Sequence, residues 1–216
     1  MDIIFEYPSK VAAMLLKGEA DIGLIPVAVI PALKEHYIIA DFGISTEGEV
    51  ASVCLFSDVP FNEVEKIYLD YQSRTSVALL KILLKDHWNI SPQLLPANAG
   101  YESLITGTIA GLVIGDRALI QRNKSKYIYD LGSAWNEMTG LPFVFAVWVA
   151  NKKLPADFIR QFNDATGEGL NHIDEIASEI TFPDYDLKKY YSENINYRLG
   201  DKHHEGLKLF LNLLSS

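Results

Sequence analysis

Three hydroxyls and one guanidinium fall together in Ser73-Arg74-Thr75-Ser76. That set suits the gripping of a carboxylate, because Arg presents a planar fork of N–H donors and hydroxyls donate beside it. The run Ile67-Tyr68-Leu69 before it has the β-branched and aromatic character of a strand. The run Val77-Ala78-Leu79-Leu80-Lys81-Ile82-Leu83-Leu84 after it is strongly helix-forming. A helix start leaves backbone N–H groups unpaired and carries partial positive charge, so an anion there is stabilised twice. The competing readings are that Ser73 or Thr75 only caps the helix, and that Arg74 points outward to an acidic neighbour.

Other residues of chemical interest surround that turn. Asp70 ends the preceding strand, and beside a bound anion its carboxylate would repel, so its expected role is structural. Asp116 follows Ile114-Gly115 and reads either as a hydrogen-bond acceptor or as a cap on the next turn. Thr139 and Gly140 close a helix and lead into a strand, where they either face a cleft or form a simple turn. His36, His87, His172, His203 and His204 all look peripheral; His203-His204 lacks the i, i+4 spacing of a zinc motif and reads as a helix cap or a solvated pair. Cys54 sits between Val53 and Leu55 and reads as core. No nucleophile elbow and no Walker or Rossmann glycine pattern occurs.

The charge balance narrows the class of partner. Over 216 residues the formal net charge is −9, with a pI near 5.0. No Lys/Arg stripe is available for a nucleic acid or an anionic membrane surface. A small anion needs only local positive potential and remains compatible. One cysteine forms no internal disulfide, no apolar run reaches about 20 residues and no basic-then-apolar leader opens the chain, so a cytoplasmic protein is expected.

The elements that must hold these residues alternate. Strands are expected at 3–5, 21–25, 37–40, 50–57, 67–69, 94–95, 110–114, 127–129 and 143–150. The stretch 21–25 is continuously apolar, as in parallel sheets, and 43–49 reads as a loop with two glycines. Helices are expected at 10–17, 27–33, 75–87, 99–106, 118–120, 134–138, 155–180, 185–194 and 205–214. Phe158, Phe162, Ile173 and Ile176 are spaced for a buried face. Phe143, Phe145 and Trp148 read as mostly core. Tyr185, Tyr190, Tyr191 and Tyr197 suit lobe packing or a homodimer contact. The class is α/β. The long apolar strands 50–57 and 143–150 bracket a self-sufficient middle, which predicts two lobes, residues 1–51 plus 148–216 and residues 53–146, joined by a two-strand hinge. The cleft between them is the expected ligand site.

Asp21-Ile22-Gly23-Leu24-Ile25-Pro26-Val27-Ala28, Leu69-Asp70-Tyr71-Gln72-Ser73-Arg74-Thr75-Ser76, Ile114-Gly115-Asp116 and Thr139-Gly140-Leu141-Pro142-Phe143-Val144-Phe145-Ala146 resemble, in order and context, the chorismate dehydratases of the futalosine route to menaquinone. The resemblance runs from about Phe5 to the C-terminal helix and implies a type 2 periplasmic-binding-protein-like fold. It implies loss of water from chorismate: the C3 hydrogen and C4 hydroxyl leave and the ring becomes aromatic, giving 3-[(1-carboxyvinyl)oxy]benzoate. It implies no metal or organic cofactor. It places Ser52, Ser73, Arg74, Thr75, Ser76, Thr139 and Gly140 at the substrate, with hinge packing the equal alternative for Ser52 and with Asp116 as a further candidate. Family members carry an extra first strand ending in a Ser-Tyr-Leu-Asn turn whose Asn is linked with catalysis, and this sequence starts after it. The expectation is therefore an uncovered edge on the first sheet and a base supplied by the substrate's own side-chain carboxylate or by that segment. The alternatives are a non-catalytic small-carboxylate-binding protein on the same scaffold and the related naphthoate synthase.

Overall fold

The computed structural model describes residues 2–215 and builds two sheets. The first has the order β1 (Ile22–Pro26), β8 (Phe143–Ala150), β2 (Tyr37–Thr46), β9 (Asn196–Arg198), with every neighbouring pair antiparallel. The second has the order β5 (Gln93–Pro96), β4 (Lys66–Leu69), β6 (Ile109–Ile114), β3 (Val53–Ser57), β7 (Tyr127–Asp130). Here β4 runs parallel to β5 and β6, while β3 is antiparallel to β6 and β7.

Helices cover and link the sheets: α1 (Pro8–Lys17), α2 (Arg74–Asp86), α3 (Asp116–Gln121), α4 (Leu131–Thr139), α5 (Ala156–Leu170), α6 (Ile173–Glu179), α7 (Leu187–Lys189) and α8 (Asp201–Ser215). α1 opens with Pro at its first turn and stops at Gly18, whose φ of 72° is the left-handed conformation glycine adopts freely. α2 packs on the 3-10 turn Val27–Ala32, on α4 and on α8. One apolar core therefore runs from Ile25 and Val147 through Leu79, Leu83, Trp135 and Phe210 to Leu55 and Ile67. Phe143 and Phe210 meet edge-to-face at 5.1 Å and both lean on Trp135, which docks α8.

The chain passes from the first sheet to the second through residues 47–52 and returns through α4 and residues 140–142. Thr46 pairs with Phe143, so the two passages begin side by side. A β carbon on Gly132 would sit 2.5 Å from the Gly48 carbonyl, so glycine is required for that approach.

Several expectations are corrected. Residues 3–5 form no strand: Ile3, Ile4 and Phe5 are exposed, and without a paired neighbour an isolated strand is not stable. β1 is an edge strand, and it pairs antiparallel with β8 although its apolar run suggests a parallel sheet; α1 covers it instead. β2 continues through the expected loop at Gly43, where a bulge and the nearby Ala146 carbonyl leave no room for a β carbon. The expected helix at 99–106 is only a 3-10 turn, Tyr101–Leu104. Residues 155–180 break into α5 and α6, and Ile176 is exposed. The expected helix at 185–194 is the short α7 followed by a π-turn, Tyr190–Asn194. β9 had no counterpart among the expected strands. Among the described residues, no helix is long and apolar enough to cross a membrane.

Candidate functional site

The second sheet's pairing fixes where its loops converge. β4 and β6 are parallel, β6 running on past the end of β4 to Ile114, and β3, antiparallel to β6, begins where β6 ends. Ser52, the turn after Leu69, and Gly115-Asp116 therefore share one edge of the sheet. The Gly115 N–H donates to the Ser52 carbonyl at 2.8 Å, closing that edge.

Ser73 caps α2. Its Oγ accepts the Ser76 N–H at 3.1 Å and donates to Ser76 Oγ at 2.8 Å. Thr75 is buried, and its Oγ1 accepts the N–H of Ala28 at 3.2 Å, tying α2 to the end of β1. Ser73 Oγ is thus spent on the cap, the competing reading of that residue, while Thr75 Oγ1 serves as an acceptor. The backbone N–H groups of Arg74 and Thr75 have no acceptor among the described residues, as the first groups of a helix do not. The Arg74 side chain is exposed and makes no ion pair among the described residues. Two free N–H groups, a helix start and an uncommitted guanidinium therefore lie together.

Arg74 and Gln72 face Ser9, Ala12, Pro26 and Val29 across a cavity of about 50 Å³. The turn sits at the seam between α2 and the end of the first sheet and is not isolated on the outer surface. That volume is far below the several hundred Å³ typical of small-molecule sites, so a ring-sized ligand needs the seam to widen. A larger groove of about 460 Å³ lies beside Lys81, Lys85, Asn89 and Leu94, on the later turns of α2 and away from its N-terminus.

Ser52 is buried, and its Oγ lies 2.8 Å from the phenol oxygen of Tyr190. That is a packing bond between the crossing segment and the π-turn. Burial raises the Tyr190 pKa, so the phenol stays protonated, and the nearby Asp116 charge adds to this. Asp116 opens α3 with an exposed carboxylate and makes no side-chain cap, which corrects the capping reading; its charge suits the first turn of a helix.

Thr139 and Gly140 are not brought to this cluster. Thr139 Oγ1 donates to the Trp135 carbonyl at 2.8 Å and accepts the Leu141 N–H, while Gly140, at φ 71°, ends α4. Glu137, just before them, contacts His87 at 3.5 Å, toward the C-terminal end of α2, whereas Ser73 caps its N-terminal end. The simple-turn reading accounts for both residues. Cys54 is buried core, its thiol pKa pushed well up by burial and then by Asp130. His203 is not peripheral: it is buried, and its Nδ1 accepts the Gly200 N–H at 3.2 Å, capping α8.

Asp70 has the structural role expected of it. Its side chain is fully buried; Oδ1 accepts the Gln72 N–H at 2.7 Å and Oδ2 accepts from Tyr101 at 2.8 Å and from Arg117 at 2.7 Å. Arg117 and Tyr101 escaped the sequence reading. The one signal available was the buried acid itself, which requires a positive partner.

Comparison with solved structures agrees with this architecture. Protein AF1704 from Archaeoglobus fulgidus superposes with a TM-score of 0.74 at 16% identity, covering 98% of this chain and 84% of that one. The alkanesulfonate-binding protein SsuA from Xanthomonas axonopodis pv. citri gives 0.61 at 10% identity, covering 98% and 80%. The fold is thus of the periplasmic-binding-protein type, with the candidate anion turn at its seam. The sequence profile of the menaquinone biosynthesis family matches residues 1–216, and the chain belongs to that family. A chorismate dehydratase of Thermus thermophilus is 29% identical over 237 residues, covering 98% of this chain and 86% of that protein.

Proposed function

We propose that this protein is a chorismate dehydratase, a carbon–oxygen lyase that removes water from chorismate to give 3-[(1-carboxyvinyl)oxy]benzoate. The observation that carries the reading is the α2 start, where the free N–H groups of Arg74 and Thr75 and the unpaired Arg74 guanidinium lie at the seam with the first sheet. A carboxylate there accepts from backbone and side chain together. Family membership and the named relative supply the substrate class.

In this reading residues 1–51 plus 148–216 and residues 53–146 act as two units that part and close over the ring. Thr75 and Ala28, bonded across the seam, are the contact that must open to admit it. The C3 proton passes to the substrate's own side-chain carboxylate, the C4 hydroxyl departs as water after protonation, and the ring gains its aromatic sextet. The protein's contribution is to fix the two carboxylates and the ring in one geometry.

The test is incubation of the purified protein with chorismate and mass spectrometry of the products. A product lighter by one water with an aromatic absorbance is expected. Saturable chorismate binding with no product would instead assign the scaffold to carboxylate binding alone, and no binding would overturn the reading.

A further inference from the structure

We propose that Arg117 is a positioning residue for the anion turn, holding Asp70 and Gln72 in place and cancelling the Asp70 charge behind Ser73-Arg74-Thr75-Ser76. The inference rests on the functional reading above and assigns a role to a residue that no motif marked.

The geometry is specific. Arg117 follows Asp116 in the first turn of α3, at the same edge of the second sheet as the anion turn. Its Nη2 donates to Asp70 Oδ2 at 2.7 Å and to Gln72 Oε1 at 2.9 Å, and its Nη1 donates to Glu102 Oε1 at 2.7 Å. The guanidinium also lies over the Tyr71 ring, 5.0 Å from the centroid. One side chain thus binds three consecutive residues, Asp70, Tyr71 and Gln72, that lead into the turn. Asp70 itself fixes the turn's first step by accepting the Gln72 N–H. The chain then enters Ser73, whose cap sets which N–H groups of α2 stay free.

Charge gives the second half of the argument. A buried carboxylate next to a site for a doubly negative substrate opposes binding, and burial weakens the screening that water would provide. Arg117 supplies the compensating charge at contact distance, with its own side chain 27% exposed against 0% for Asp70. Glu102 has 19% exposure and takes the other arm of the fork, which fixes the plane of the guanidinium. Lys cannot reproduce this, since a point charge cannot span Asp70, Gln72 and Glu102 together.

The test compares steady-state kinetics on chorismate for wild type, Arg117→Met, Arg117→Lys, Asp70→Asn and the Arg117→Met/Asp70→Asn double variant, with amide hydrogen exchange of residues 71–76 on each. Arg117→Met is expected to raise KM about tenfold while kcat changes less than about threefold, and to speed exchange through the turn. Adding Asp70→Asn removes the fully buried one of the two carboxylates left unpaired, Glu102 being the more solvated, and is expected to return KM to within about threefold of wild type. A merely structural role predicts instead that the double variant is at least as impaired as Arg117→Met, and that outcome overturns the proposal. If Arg117→Met fails to fold, Arg117→Lys carries the comparison: KM raised about threefold supports the role, and unchanged KM with unchanged exchange overturns it. If wild type leaves chorismate untouched, the functional reading falls by itself, and the exchange of residues 71–76 decides the positioning claim.

Discussion

The carboxylate of Asp130 accepts the backbone N–H of Ala51 at 2.8 Å, and so the last residue of β7 holds the segment by which the chain leaves the first sheet. Its other oxygen accepts from Val50 at 3.1 Å, Gly132 at 2.9 Å and Ser133 at 3.0 Å. One acid thus fastens the outgoing passage and caps α4, the start of the return. Ala51 sits at φ 61°, a left-handed conformation costly to a residue with a β carbon, and this clamp helps hold it there.

Asp130→Asn is expected to lower stability by about 1–3 kcal/mol. An amide keeps one acceptor oxygen, but its NH2 then faces the Ala51 N–H and leaves that donor unpaired. Burial holds the Asp130 pKa up, against the pull of these same N–H groups, so the site already strains to keep the charge it needs. Urea unfolding at neutral pH, read by far-ultraviolet circular dichroism, measures the difference.

Much of the scaffold could be read from the residues because the strongest patterns are local. Residues 143–150 and 77–84 are apolar over lengths that only a buried strand or helix explains, and β8 and α2 lie there. Gly18 and Pro8 punctuate α1 as their chemistry requires. What escaped depends on partners distant in sequence. Ser73 reads as a cap or as a ligand group, and only the position of the Ser76 N–H decides. Thr75 finds Ala28, which is 47 residues away, and Arg117 finds Asp70 across the same interval. β9 is only three residues, Asn196-Tyr197-Arg198, too short for a pattern, and it forms where the β2 edge is there to join. Thr139-Gly140 carries a motif's shape yet is spent on ending α4.

Thr75→Val tests the seam. The substitution keeps shape and burial but removes the acceptor for the Ala28 N–H. A loss of about 1 kcal/mol is expected on unfolding, because a half-buried donor left unpaired costs more than a solvated one. Amide exchange at Ala28 should rise in the variant; an unchanged rate would show that this contact does not hold the seam closed.

His203 gives the protein an acid-sensitive joint. The residue is 5% exposed, Nδ1 is used as an acceptor, and Nε2 has no hydrogen-bond partner among the described residues, with Glu47 3.7 Å away. Burial lowers its pKa, and Glu47, which favours the charged form, only partly offsets this while His204 opposes it. The unfolded chain therefore takes up a proton at higher pH than the folded one. Stability is intact above the ordinary histidine range and declines as pH falls from about 6.5 toward the lower folded value. His203→Asn keeps an acceptor for the Gly200 N–H but does not titrate. Thermal unfolding from pH 8 to pH 5 should show a flatter profile for the variant than for wild type.

Arg74 separates binding from folding more cleanly than any other residue of the turn. Its side chain is exposed and lines the seam cavity, so Arg74→Gln removes no ion pair or side-chain hydrogen bond among the described residues. The melting temperature should stay within about 1 °C of wild type, as for surface changes away from such contacts. Loss of a charge-assisted fork to a carboxylate weakens binding by about 1.5–3 kcal/mol, which corresponds to a rise in KM for chorismate of roughly ten- to hundredfold. Arg74→Lys should recover part of that loss, since it restores charge without the fork. The Ser73 cap and the free N–H groups persist in both variants, so residual binding is expected to remain saturable. Equal KM values for wild type and Arg74→Gln would show that the Arg74 guanidinium does not hold a substrate carboxylate.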